Sequence, residues 1–147
     1  MADDLTVDIV TPDGRAFQGT ANGVRAPGVE GSFEVRTDHA PMISAFGIGP
    51  LIVKAQSTHE YADRGGRIIF ATSGGFLEIV ENTVTVLAET VEPASEIDVD
   101  RAESAQERAR RRLEEGDLEE RETHEAALER ARNRLRVAMG QVGQEPS

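Results

Sequence analysis

Four arginines stand at spacings that could gather the oxygens of a phosphate chain or of a partner's carboxylates. Arg101 and Arg108 are seven residues apart, and Arg130 and Arg134 four apart, so each pair follows one stripe of a helix. A guanidinium offers a planar fork of N–H donors that matches paired anionic oxygens. Folded into an antiparallel hairpin, the two stripes would converge as four cations, an unfavourable cluster unless something anionic fills it. Acids on the same helices, Glu107 and Glu129, are the simplest fillers, and spacing alone favours them. Arg110, Arg111 and Arg112 run around the helix, as a solvated face does. Just upstream, Glu92 is followed by Ile97-Asp98-Val99-Asp100-Arg101-Ala102, which sets a hydrophobe, a carboxylate and an arginine at the start of the helical region.

Other chemistry is poorly supported. Ser44, Ser57 and Ser73 lack the setting of a nucleophile elbow, and there is no phosphate-binding Walker loop or dinucleotide fingerprint. Gly74-Gly75 reads as a tight turn or a close strand approach. His39 follows Asp38, yet a loop histidine bonded to backbone is the commoner outcome. His39, His59 and His124 lie far apart, there is no cysteine, and no spacing suggests a metal site.

The elements that would carry these residues fall into two halves. Up to residue 90 the chain reads as β. Leu5, Val7 and Ile9 alternate with polar residues, and short apolar runs recur between turn signals. Those signals are Pro12-Asp13-Gly14, Asn22-Gly23, Pro27-Gly28, Gly47 to Pro50, Gly65-Gly66, Gly74-Gly75 and Glu81-Asn82. Many short strands predict a β-sandwich or barrel. From Asp98 the grammar changes to Ala, Glu and Arg, all good helix formers. Ala102, Ala105, Ala109 and Leu113 fall at helical spacing, as do Leu128, Ala131, Leu135 and Ala138. Gly116-Asp117 divides the two runs, with Asp117 a candidate N-cap. The expected architecture is α+β: an N-terminal sandwich over 1–90, a two-helix antiparallel hairpin over 91–140, and a frayed tail over 141–147. Each helix should be about 27–33 Å long. A seam made mostly of alanine buries little apolar area, so the hairpin should be able to come apart.

Charge and composition narrow the class. With 27 acidic and 16 basic residues the net charge is -11, which should repel nucleic acid and anionic lipid. Only Lys54 among the basic residues is lysine, a bias that fits a GC-rich genome or a salt-adapted host. The acidic start, Met1-Ala2-Asp3-Asp4, is unlike a signal peptide, and no apolar run approaches the length of a membrane span. A cytoplasmic protein is the expectation.

In order and spacing the chain resembles the epsilon subunit family of the F-type ATP synthase, called delta in mitochondria, over essentially its whole length. The resemblance is carried by Val10-Thr11-Pro12-Asp13-Gly14 with Phe17, by Val24 to Gly31, by His39-Ala40-Pro41 and by Gly49-Pro50-Leu51-Ile52-Val53. It continues through Ser73-Gly74-Gly75-Phe76-Leu77-Glu78 and Asn82 to Leu87. Departures are Glu34 after Phe33, Asp38 where Gly or Asn is common, and Ile48 where Pro is common.

The resemblance implies a sandwich followed by a helical hairpin, in a non-catalytic central-stalk subunit coupled to ATP synthesis and proton transport. The sandwich would dock on the gamma subunit and the c-ring. The hairpin would either fold down on the sandwich or extend toward the catalytic alpha and beta subunits and inhibit hydrolysis. Membrane association would be peripheral, at the cytoplasmic face of the cell membrane and through the complex only. In some bacterial members the folded hairpin binds ATP through an Ile/Leu-Asp-x-x-Arg-Ala motif. That motif stands here as Ile97-Asp98-Val99-Asp100-Arg101-Ala102; Arg108, Arg130 and Arg134 match the further arginines and Glu92 the upstream acid. ATP is thus implied as a regulatory ligand, and no cofactor is required. The rival readings are the same stalk subunit with a purely mechanical hairpin, a small-molecule enzyme on the β half, and a free-standing coiled-coil adaptor, against which the short, broken heptads speak.

Overall fold

The structure, a computed structural model, describes residues 4–55, 59–63, 65–116 and 119–142. Alternation in the first strand does what its pattern requires: Leu5, Val7 and Ile9 of β1 (Leu5–Thr11) are fully buried while the residues between them face outward. The strands that follow are β2 (Gly14–Ala26), β3 (Phe33–Arg36), β4 (Met42–Phe46), β5 (Gly49–Ala55), β6 (Arg67–Thr72), β7 (Gly75–Val80), β8 (Thr83–Ala88) and β9 (Val91–Pro93). They form one sheet in the order β4-β7-β8-β1-β2-β5-β6-β9, with β3 on β2. β1 pairs parallel with β8, and every other pairing is antiparallel. Inward residues from both ends of the sheet, such as Leu77, Val86, Leu51 and Phe70, close into a single core. The sheet is therefore folded over on itself as a sandwich.

The long strand β2 makes that fold possible. Its first part pairs with β1 and its last part with β5, and the register shifts between Ala21 and Gly23. The expected turn at Asn22-Gly23 is thus a bulge inside a strand, where an extra residue bends the ladder. Elsewhere the turn signals hold. Glu81 and Asn82 both have positive φ (47° and 61°), as a two-residue hairpin turn demands. At Gly75 a Cβ would lie 2.0 Å from the Leu87 carbonyl oxygen, so the close strand approach admits only glycine. Asp38, where the family favours Gly or Asn, also has positive φ (63°); its N–H donates to Asn82 Oδ1 at 2.6 Å. Aspartate tolerates that left-handed geometry better than most residues.

The sheet runs past residue 90, because β9 pairs with the end of β6. A 3-10 turn, Ala94–Glu96, then leads into α1 (Val99–Glu114) and α2 (Arg121–Ala138). With 16 and 18 residues they span about 24 and 27 Å, shorter than expected for the first. Glu115 and Gly116 follow α1, and Glu119 and Glu120 precede α2, outside both helices despite three glutamates that favour helix. Glu120 occupies the cap position of α2 without a side-chain capping hydrogen bond to the helix N–H groups. The candidate cap Asp117 and the tail from 143 onward lie outside the described residues.

α2 lies on the outer face of β5 and β6. Ile52, Ile69 and Ala71 turn outward from the sandwich core and pack with Ile97 and Val137 in a second, smaller core. α1 packs on α2 through a thin seam in which Ala102, Ala109, Ala131 and Leu135 are buried. Among the described residues no helix is long and apolar enough to cross a membrane.

Candidate functional site

The Ile-Asp-x-x-Arg run divides its work by residue. Ile97, 8 % exposed, fixes the start of the hairpin to the outer face of the sandwich. Asp98 is the N-cap of α1, its Oδ1 accepting from the Arg101 N–H at 3.1 Å. That bond satisfies one of the orphan donors of a helix start. Arg101, one turn in, points its guanidinium to solvent beside a small cleft of about 340 Å3 that Arg108 and Arg134 also border.

Arg108 and Arg134 also line a larger cleft of about 840 Å3 between the hairpin and the sandwich, joined there by Arg130 and Glu92. The two clefts share Arg108 and Arg134, so the four expected arginines surround one continuous region. Arg134 is held in it: its Nε donates to Glu92 Oε1 at 2.7 Å and its Nη2 to Glu92 Oε2 at 3.2 Å. This fork-on-carboxylate pair bridges α2 to β9. Among the described residues the side chains of Arg101, Arg108 and Arg130 make no hydrogen bond or ion pair.

The acids that spacing suggested as fillers are used elsewhere. Glu107 turns to Arg110, three residues on, and reaches Arg111 at 4.0 Å. Glu129 borders a separate groove on the other side of α2, with Arg132 and Arg136. Three guanidinium groups therefore border the region without an ion pair among the described residues, with Asp98 and Asp100 also on the rim of the smaller cleft; unpaired forks of this kind can take up anionic oxygens.

Four contributors escaped the sequence reading. Thr11 and Asp13, at the β1–β2 turn, form part of the wall of the larger cleft. His124 in α2 is buried at its far end, with Nε2 3.5 Å from Glu120 Oε2. Asn133 is also buried in α2, and its Nδ2 donates to the Gly49 carbonyl at 2.8 Å. The available signal for Asn133 was its place four residues before Val137, a polar residue in an apolar stripe.

The sites weighed on the β half resolve simply. His39 Nδ1 lies 2.7 Å from the Ala40 carbonyl, and Asp38 is engaged with Asn82, so the two do not form a catalytic pair. Among the described residues no group of three His, Asp or Glu side chains could hold a metal.

Comparison with known proteins agrees with this division. Residues 4–94 match the family model for the ATP synthase delta/epsilon chain β-sandwich domain, and 95–139 that for the delta/epsilon chain long α-helix domain. An ATP synthase epsilon chain of Salinibacter ruber is 80 % identical over 145 residues, covering 97 % of each chain. The epsilon chain of an Exiguobacterium species is 43 % identical over 133 residues, covering 89 % of this chain and 93 % of its own. A chain of the Euglena gracilis mitochondrial ATP synthase has the same fold, with a TM-score of 0.76 at 22 % identity over 89 % of this chain and 79 % of its own. The chain belongs to the delta/epsilon family of ATP synthase.

Proposed function

We propose that this non-catalytic subunit of the F-type ATP synthase central stalk binds ATP in the arginine cleft, and that bound ATP holds its hairpin folded on the sandwich. The observation that carries the reading is the convergence of Arg101, Arg108 and Arg130, none paired among the described residues, around the Arg134–Glu92 bridge. A triphosphate would supply the anionic oxygens those guanidinium groups lack. It would also tie α1, which carries Arg101 and Arg108, to α2, which carries Arg130 and Arg134. A ligand that binds only the folded hairpin adds RT ln(1 + [L]/Kd), about 2.7 kcal/mol at a hundredfold excess over Kd. An alanine seam is weak enough for that amount to decide its position.

When ATP is scarce, the freed hairpin would extend along gamma, and its arginines would meet acidic surface on the catalytic alpha and beta subunits and stop hydrolysis. The sandwich supports the rest of the reading. Ile43, Phe76, Val80 and Leu87 are exposed on the β4-β7-β8 layer, and Ala45, Phe76, Leu87 and Val10 are successive cross-strand neighbours. An apolar stripe of this kind marks a face that another protein covers. In this reading its occupant is the rotor, gamma with the c-ring, and the chain sits peripherally at the cytoplasmic side of the membrane through that contact.

One observation favours a second reading. The Arg134–Glu92 bridge already joins hairpin and sandwich through protein groups alone, as a purely mechanical hairpin would need. Calorimetric titration of ATP into the isolated chain separates the two. The nucleotide reading expects saturable binding that Arg101→Ala and Arg130→Ala each weaken about tenfold or more, the loss of one charge-assisted contact. Affinity unchanged from wild type in both variants removes this cleft as the nucleotide site, and no binding at millimolar ATP removes the nucleotide altogether; either leaves the mechanical hairpin.

A further inference from the structure

We propose that Asn133 is the latch that registers the hairpin on the sandwich and thereby positions the arginine cleft. The inference rests on the nucleotide reading for what the cleft binds, but not for how the hairpin is held.

Asn133 is 6 % exposed, in the middle of α2. Its Nδ2 donates to the Gly49 carbonyl at 2.8 Å and to the Thr72 carbonyl at 3.4 Å. Gly49 opens β5, Thr72 closes β6, and the two are cross-strand partners. One carboxamide therefore clasps the end of a strand pair. Both acceptors are main-chain oxygens, fixed by the sheet, so the bonded position defines one rotation and one height for α2.

That setting matters to the cleft because Arg130, Asn133 and Arg134 share a turn of the helix. All three border a narrow crevice with Thr90 and Glu92. Successive residues are about 100° apart around a helix, so a small rotation of α2 would carry Arg130 and Arg134 off the site. The nearby apolar contacts of Val137 hold the helix down but lack direction. The Arg134–Glu92 pair is directional but partly exposed, and it joins two long side chains. Asn133 alone among these contacts is buried, directional and uncharged. It would also rehydrate freely once the hairpin lifts, along with the two carbonyls.

Only a donor satisfies this position. Asn133→Asp keeps the shape but sets a carboxylate against two carbonyl oxygens, an unpaired charge with nowhere to go while the hairpin is docked. The chain has no cysteine, so Thr83→Cys and Glu115→Cys can carry a dye pair that reads the distance from sandwich to hairpin tip. The same samples are titrated with ATP. Because apparent affinity scales with the docked fraction, Asn133→Asp should lengthen the mean distance and raise the apparent Kd at least about tenfold. The unfolding transition of the sandwich should persist. Asn133→Ala, which removes the donor without adding charge, should move both readings in the same direction by less, and it decides the matter if the aspartate variant does not fold. A longer distance with no ATP binding in any form, wild type included, supports the latch and discards the nucleotide. An unchanged distance in both variants overturns the latch, whatever ATP does.

Discussion

Tyr61 offers a test at the scale of single residues. Its hydroxyl donates to Glu96 Oε1 at 2.7 Å, joining the β5–β6 connection to the 3-10 turn at the root of the hairpin. This bond, with burial and the charges of Glu96 and Glu60, holds the Tyr61 phenol above its ordinary value. The sign follows directly. The protonated phenol is the form that bonds, so the contact is fully present below the unfolded value of about 10 and is lost as pH rises through the higher folded value. Tyr61 is the only tyrosine in the chain, so the ultraviolet absorbance of phenolate reports it alone. Glu96→Gln should bring the titration midpoint down toward the ordinary value. A midpoint unmoved by that change would mean the bond does not form in solution. At this scale the sequence revealed residue types better than partners. The separate roles of Ile97 and Asp98, anchor and cap, depend on what lies across the chain from them. The engagement of Glu107 with Arg110 could not be told from spacing, since Arg110 and Arg111, three and four residues on, both lie within reach of it. Asn133 was passed over because a polar residue on an Arg- and Glu-rich helix reads as surface. Its burial comes from the strand ends it meets.

Among the elements, the strands were the most legible, because alternation in β1 and β8 directly records a half-buried face. β9 was not, since Val-Glu-Pro is too short to show any period. The Asn-Gly pair in β2 misled because the same flexible residues serve turns and bulges, and only the partner strands decide between them. The start of α2 was drawn too early because Glu119 and Glu120 extend its helix-forming composition, and propensity alone does not set where a helix begins. The alanine seam was read correctly, and it carries a prediction. Ala109 is 4 % exposed between the helices, at the wall of the larger cleft, and Ala109→Leu adds three carbons to that close seam. Overpacking of this kind costs about 1–3 kcal/mol, enough to weaken ATP about tenfold by parting the arginine stripes. The check is a titration beside a measurement of sandwich unfolding. Weakened binding with an unchanged sandwich is expected, whereas unaltered binding would show that the helices need not stay together to hold the ligand.

For the molecule as a whole, the two parts differ in how they are stabilised. The sandwich has a core of buried Leu, Ile, Val and Phe from both layers, while the hairpin rests on a small outer cluster, a clasp of main-chain oxygens and one ion pair. Local stability follows buried apolar contact, so the hairpin should open well before the sandwich unfolds. ATP acts on that opening alone if it binds across α1 and α2. The most direct test is amide hydrogen exchange across the intact chain as ATP is added. At ATP about a hundredfold above its Kd, amides of α1 and α2 should exchange roughly a hundredfold more slowly, while those of β1 and β8 stay as they were. Exchange in the two helices that does not respond to ATP would contradict the claim that nucleotide holds the hairpin down.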